Sequence, residues 1–268
     1  MTSLPGRAWF VGCGNMAGAM VEGWRRAGVD LSQALAVRPS GRPVEGVRTV
    51  TALPNGSPAL AMLGFKPQKL DDVAPGLEPK IGPETMVVSI LAGVEAASLR
   101  QRFPNARAIV RAMPNLPVSE GRGIVALFSQ DADAELCELL CVLFRPLGRT
   151  HWAADERELA AIGSLAGAGP AYVARFIAAL AKAGEDRGLA PGLAQAIALE
   201  TVAGTAIMAE ARGEAMDEVA RRVASPKGTT EAGLAVLDAD GALDRLIAET
   251  IAAAARRGAE LAEAARKP

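Results

Sequence analysis

One histidine, three cysteines and a 4% share of aromatic residues are a thin supply of the side chains that most often do chemistry. His151 stands alone, which excludes a multi-histidine metal site, and nothing near it in sequence suggests a nucleophilic triad. No metal is expected. Three cysteines are too few for a disulfide scaffold. Cys137 and Cys141 are spaced i, i+4 without a nearby histidine and read as small apolar packing residues, while the Cys13 side chain has no evident task. Charge of one sign is also missing: 29 basic against 30 acidic residues leave a net charge of −1, so no basic stripe points to nucleic acid. The first residues lack a charged-then-apolar leader, and no uninterrupted apolar run reaches about 18 residues. A cytoplasmic chain with no membrane contact is the expectation. What is abundant is small apolar residues. Half the chain is hydrophobic, so with few aromatics the core is built from Ala, Leu, Val and Ile, and alanine-rich helices are expected to pack against other subunits.

The most informative stretch is Gly12-Cys13-Gly14-Asn15-Met16-Ala17, preceded by the apolar run Ala8-Trp9-Phe10-Val11. A strand ending in a glycine turn that opens a helix is a dinucleotide phosphate grip. Gly12 permits the tight turn, Gly14 lets backbone approach a pyrophosphate, and Ala17 lets helix and strand pack closely. The helix N-terminus then offers unpaired N–H groups to the phosphates. The residue that reads the ribose lies about 20 positions on in such units. Here the chain has Arg38, with Ser40 and Arg42 behind it and no acid. A guanidinium suits the 2′-phosphate of NADP, where a carboxylate would suit the hydroxyl of NAD. NADPH is the expected cofactor, with NADH weaker.

Up to residue 152, short apolar runs alternate with helical or turn segments. Strands are expected at residues 8–11, 34–37, 59–63, 86–91, 108–112, 124–128 and 148–152, and helices at 15–27, 94–103 and 131–144. Residues 38–56, rich in Pro, Gly and Arg, read as irregular. The alternation implies a parallel, doubly wound sheet. After residue 152 the strand signals stop. Helices are expected at 156–162, 171–187, 193–212, 216–223, 230–237 and 242–266, with Pro191 and Pro226 near helix starts. The division is therefore 1–152, a nucleotide-binding domain, and 153–268, an all-helical domain.

Four further stretches look too particular for scaffold. Phe65-Lys66-Pro67, Ala92-Gly93-Val94 and Met113-Pro114-Asn115 each follow or end a strand, at the carboxyl edge where open sheets bind ligands. Ser225-Pro226-Lys227-Gly228-Thr229-Thr230 places two threonine hydroxyls and free N–H groups at a helix start, a seat for a carboxylate. The plainer readings are ordinary strand-to-helix turns and, for the last, a Ser/Thr helix cap.

Taken in order with Gly169-Pro170-Ala171-Tyr172, these motifs resemble pyrroline-5-carboxylate reductases across nearly the whole chain. The resemblance implies a Rossmann-like NADPH domain followed by an all-α dimerisation domain that completes the substrate site with a second subunit. It implies homodimers that associate further, often into decamers. It places the cofactor on Gly12, Gly14, Asn15, Met16, Arg38, Ser40, Phe65, Lys66, Pro67, Ala92, Gly93 and Asn115. It places the substrate on Ser225, Gly228, Thr229 and Thr230, with backbone N–H groups of 228–230 on the carboxylate and the Thr230 hydroxyl on the ring nitrogen as the catalytic contact. A protonated cyclic imine already accepts hydride well, so positioning suffices.

The chain departs from that pattern at four residues and in one connection. Ala166 and Ala168 stand where the family usually has serines, Lys227 where it has glycine and Leu116 where it has threonine. The connection before Phe65 is shorter than usual, and Asn55 is given no cofactor contact. Two alternatives stay open: a related reductase of another cyclic imine or a small oxo or hydroxy acid, and a non-catalytic NADP-binding regulator of the same fold.

Overall fold

The fold starts from β1 (Ala8–Val11), a four-residue strand buried along its whole length. The structure, a computed structural model, describes residues 3–266. β1 runs through the glycine turn into α1 (Asn15–Arg26) and is flanked by β2 (Ala34–Val37) and β4 (Leu60–Leu63), both parallel to it. β3 (Arg48–Val50) adds to β2 at the edge. Then come α2 (Leu70–Leu77), β5 (Met86–Ser89), α3 (Ala96–Arg102), β6 (Ala108–Pro114), β7 (Gly123–Phe128), α4 (Ala134–Phe144) and β8 (Gly148–Trp152). The eight-stranded sheet has the order β3-β2-β1-β4-β5-β6-β7-β8.

Strand alternation divides the sheet's side chains between two layers. Phe10, Met62, Val88 and Val110 face Met20 and Trp24 of α1 and Leu140 and Phe144 of α4. Trp24 stacks on Phe10 with 5.8 Å between ring centroids, and its Nε1 donates to the Leu143 carbonyl at 2.8 Å. On the other face Trp9, Ala61, Val87 and Ile109 meet Leu77 of α2, Leu99 of α3 and Leu159 of α5 (Glu156–Ile162). Helices therefore cover both faces, as the near-continuous apolar strands require.

Two expectations are corrected, and one helix is added to those expected. The stretch 38–56 is not wholly irregular, because it carries β3, whose exposed-to-half-buried edge pattern gives no apolar run. α2 forms despite Pro75 inside it. The sheet is not all parallel: β7 runs antiparallel to β6, and β8 is parallel to β7. The connection 115–122 is too short for a crossover, so the chain can only turn back. It does so through a 3₁₀ turn, Leu116–Glu120, closed by Gly121 at φ 67°.

The helical region continues from α5 through a π-turn, Gly163–Gly167, to α6 (Gly169–Glu185), α7 (Pro191–Arg212), α8 (Met216–Val223), α9 (Thr229–Leu237) and α10 (Ala242–Arg266). Two compact units are present: Met1–Ala168 with Ala254–Pro268, and Gly169–Ala253. The second has a small core of Ala181, Ala194 and Ala198 with Ile177 against it. The helical stretches Glu156–Glu185 and Pro191–Arg212 are long and apolar enough to cross a membrane by length and composition alone. Counting uninterrupted apolar runs misses both, because single charges such as Arg175 and Glu200 break them.

Candidate active site

In the first unit the glycine turn lies where the strand order reverses, between β1 with β2 on one side and β4 on the other. Gly12 has φ +77°, and a Cβ there would lie 2.6–2.8 Å from Phe65. Gly14 is different. A Cβ on it would meet nothing nearer than the Gly64 carbonyl at 3.9 Å, so the fold itself does not demand a bare backbone there. Gly14 is also the N-cap of α1, without a side-chain cap bond and with no acid in the first turn. The N–H groups at Asn15 and Met16 therefore open α1 as an uncapped, electropositive end. Ala17 is buried, and its methyl lies 3.0 Å from the position a Cβ on Gly64 would take.

Arg38 leaves the end of β2 half-buried, its Nη1 donating to the Arg42 carbonyl at 3.2 Å. Ser40 is exposed and accepts from the Arg42 N–H at 3.4 Å. A cleft of about 670 Å³ runs past Cys13, Gly14, Asn15, Arg38 and Val44. Burial pushes the Cys13 thiol up to about 11, against the smaller opposing pull of the Arg38 charge. It is thus a neutral wall of this cleft.

The neighbouring strand ends bring in the other expected residues. Phe65 is half-buried against Gly12, and Lys66 is exposed just before the 3₁₀ turn that Pro67 begins. Ala92 is exposed, and Gly93 has φ +77° with the backbone of Leu261 and Ala262 of α10 about 3.0 Å from where its Cβ would be. Asn115 is buried. Its Nδ2 donates to the Ala166 carbonyl at 3.1 Å and its Oδ1 accepts from the Ile124 N–H at 2.8 Å. The carboxamide is therefore largely engaged inside the frame. Ser225, Gly228, Thr229 and Thr230 lie in the second unit, at the start of α9. The N-cap is Gly228, with no side-chain cap bond, so the plain Ser/Thr cap is not what forms. A Cβ on Gly228 would collide with Ser225 Oγ. The Gly228 N–H donates to the Ser225 carbonyl at 2.9 Å, which corrects the assignment of 228–230 as three free donors. Lys227 takes φ 57°, a left-handed conformation that favours glycine, and its N–H donates to Glu231 at 2.5 Å. One element that sequence reasoning missed is Glu156, paired with Arg111 from 45 residues away, for which no local signal exists.

A sheet of this order with an uncapped helix end at its reversal point defines a dinucleotide-binding α/β protein of the Rossmann class, here followed by a helical region. The sequence model described as pyrroline-5-carboxylate reductase dimerisation matches residues 156–261. The pyrroline-5-carboxylate reductase of Pseudomonas aeruginosa is 35% identical over 266 residues, covering 96% of this chain and 97% of that one. That of Pisum sativum is 33% identical, with 94% of each chain covered. A solved pyrroline-5-carboxylate reductase from Coxiella burnetii superposes with a TM-score of 0.85 at 30% identity, covering 96% and 99%. The Plasmodium falciparum pyrroline carboxylate reductase with NADP bound shares the fold, with a TM-score of 0.84 at 22% identity and 96% and 98% coverage. The chain belongs to the pyrroline-5-carboxylate reductase family. Its dimerisation segment makes it a homo-oligomer.

Proposed function

We propose that this protein reduces 1-pyrroline-5-carboxylate to L-proline with NADPH, the last step of proline biosynthesis. The observation that carries the reading is 35% identity to a reductase so named over nearly the full length of both chains. The residues present fit the cofactor. The bare face of Gly14, which nothing approaches more closely than the Gly64 carbonyl, and the uncapped first turn of α1 suit a pyrophosphate. NADPH, when bound, supplies a hydride from nicotinamide C4.

Gly12, Gly14, Asn15 and Met16 hold the phosphates, and Arg38 with Ser40 holds the 2′-phosphate, which leaves NADH the weaker cofactor. Phe65, Lys66, Pro67, Ala92, Gly93 and Asn115 border the nicotinamide end, Asn115 through the loop its carboxamide braces. The free N–H groups of Thr229 and Thr230 take the substrate carboxylate beside Ser225 and Gly228, at the positive end of α9. The Thr230 hydroxyl orients the protonated ring nitrogen. It is too weak an acid to protonate the imine, and the nitrogen keeps its proton as the imine carbon gains hydride. In this reading residues 1–152 form the cofactor domain and 153–268 the dimerisation and substrate domain. The oligomer is a dimer or a larger assembly built from it, up to a decamer, in the cytoplasm.

Purified protein mixed with pyrroline-5-carboxylate is expected to oxidise NADPH and yield proline in equal amount. An absence of turnover on this imine with tight NADPH binding would favour a regulator instead. Arg38→Asp should raise the KM for NADPH about 10- to 100-fold and hardly change that for NADH, since a charge-assisted bond contributes ~1.5–3 kcal/mol. An unchanged KM for NADPH removes Arg38 from the site.

A further inference from the structure

The start of α3, which follows β5, is tied to β6 by one side chain from a distant part of the sequence. Glu156 opens α5, and its carboxylate is divided between two donors. Oε1 accepts from the Ala96 N–H at 2.9 Å, the first N–H of α3, just beyond the Ala92-Gly93 loop. Oε2 accepts from Nη1 of Arg111, whose side chain on β6 is only 8% exposed. Arg111 stands across from Ser89, the last residue of β5, so the loop 90–95 leaves the sheet beside it, while β6 runs three residues further, to Pro114, before the connection that starts at Asn115. The segment that begins at Glu156 is fastened again further along. Asn115 holds the Ala166 carbonyl, and the Met113 side chain fills the space before Gly163, 3.2 Å from where a Cβ would be.

We propose that Glu156 is a positioning residue for hydride transfer, setting the 90–95 loop, through the start of α3, against β6 and the Asn115 connection that β6 leads to, the two segments that border the nicotinamide end of the cleft. The inference rests on the reductase reading given above. A helix-capping carboxylate needs only Ala96, and a half-buried ion pair needs only Arg111. A single carboxylate engaged with both fixes the start of α3 against β6, through charge-assisted bonds that are short and directional. Hydride transfer is sensitive to such spacing, since a displacement of about 1 Å can cost on the order of 100-fold in rate.

Three variants separate positioning from folding. Glu156→Gln keeps an acceptor for Ala96 and removes the charge that faces Arg111. Glu156→Leu combined with Arg111→Met replaces the pair by apolar side chains, so that neither charge is left unpaired. Glu156→Asp keeps the charge but shortens its reach. The double variant is expected to melt somewhat below the wild type, because the Ala96 N–H loses its acceptor, yet to stay folded in the assay and bind NADPH within about threefold, while kcat falls about 10- to 100-fold. Its primary isotope effect with NADPH deuterated at C4 should exceed that of the wild type, because the hydride step has slowed. Glu156→Asp should fall between the two. A folded variant with wild-type kcat and isotope effect overturns the proposal, and so does failure of all three to fold, which would make Glu156 purely structural. A wild-type protein inactive on pyrroline-5-carboxylate would instead defeat the reductase reading.

Discussion

Gly12 and Gly14 stand two residues apart in one turn and are glycines for different reasons. At Gly12 the protein forbids a side chain: φ is +77° and Phe65 backbone lies 2.8 Å from the Cβ position. At Gly14 the backbone is extended, with φ −82° and ψ −158°, and the nearest atom is 3.9 Å away. Gly12→Ala should therefore lower stability by about 2–4 kcal/mol. Gly14→Ala should cost at most about 1 kcal/mol as a poorer N-cap, yet weaken NADPH about tenfold by placing a methyl against the phosphates. Melting curves beside NADPH titrations test the contrast; equal melting losses in both variants would count against it. At this scale the glycine turn and Arg38 are legible because their neighbours in space are neighbours in sequence. Asn115 is not, since its carboxamide meets Ala166, 51 residues on, and a motif cannot show that a polar group is already engaged.

Among the elements, the long amphipathic and apolar ones follow from pattern alone: 216–223 and 242–266 match α8 and α10 as expected, and 8–11, 34–37 and 148–152 match β1, β2 and β8. The misses are elements that tertiary context makes. β3 is three residues at a sheet edge, held by pairing to β2 and not by a buried face of its own. The reversal of β7 is dictated by the length of a turn, which hydrophobic periodicity does not encode. At the start of α9 the structure sharpens a test that sequence leaves open. Gly228 is the cap and Thr230 is the second helical residue, so Thr230→Ala removes no cap bond. Alanine is also the better helix former, so the melting temperature should stay level or rise slightly, by about 0.5 kcal/mol of stability at most. If the hydroxyl orients the imine, kcat/KM should nevertheless fall about 10- to 100-fold, from ~1.5–3 kcal/mol of lost contact. NADPH affinity should hold steady. A variant with wild-type kcat/KM would take Thr230 out of the site.

For the molecule as a whole, the second unit does not have the interior that a free-standing helical domain needs. Among its described residues the core cluster is three alanines, with Ala209 and Val219 buried outside it, whereas Phe176 and Ile207 are 52% and 60% exposed on α6 and α7. Apolar surface of that extent is expected at an interface between subunits, and the segment carrying it matches a dimerisation family. The membrane-length stretches Glu156–Glu185 and Pro191–Arg212 are consistent with such an interface, since small apolar side chains pack against a second protein surface as well as in lipid. A stable interface buries at least about 1,000 Å², so it is spread over several helices and a single charge placed within it must be desolvated or must break it. Phe176→Glu and Ile207→Glu should each shift the mass seen by light scattering toward a single chain and lower the melting temperature. Activity should fall with the mass, because the start of α9 belongs to this same unit and loses its support. Dilution of the wild type should leave mass and activity unchanged down to the lowest concentrations that can be assayed, as for an obligate assembly. Retention of full mass and activity by both variants would show that these faces lie outside the interface, and a wild-type single chain with full activity would remove the need for one.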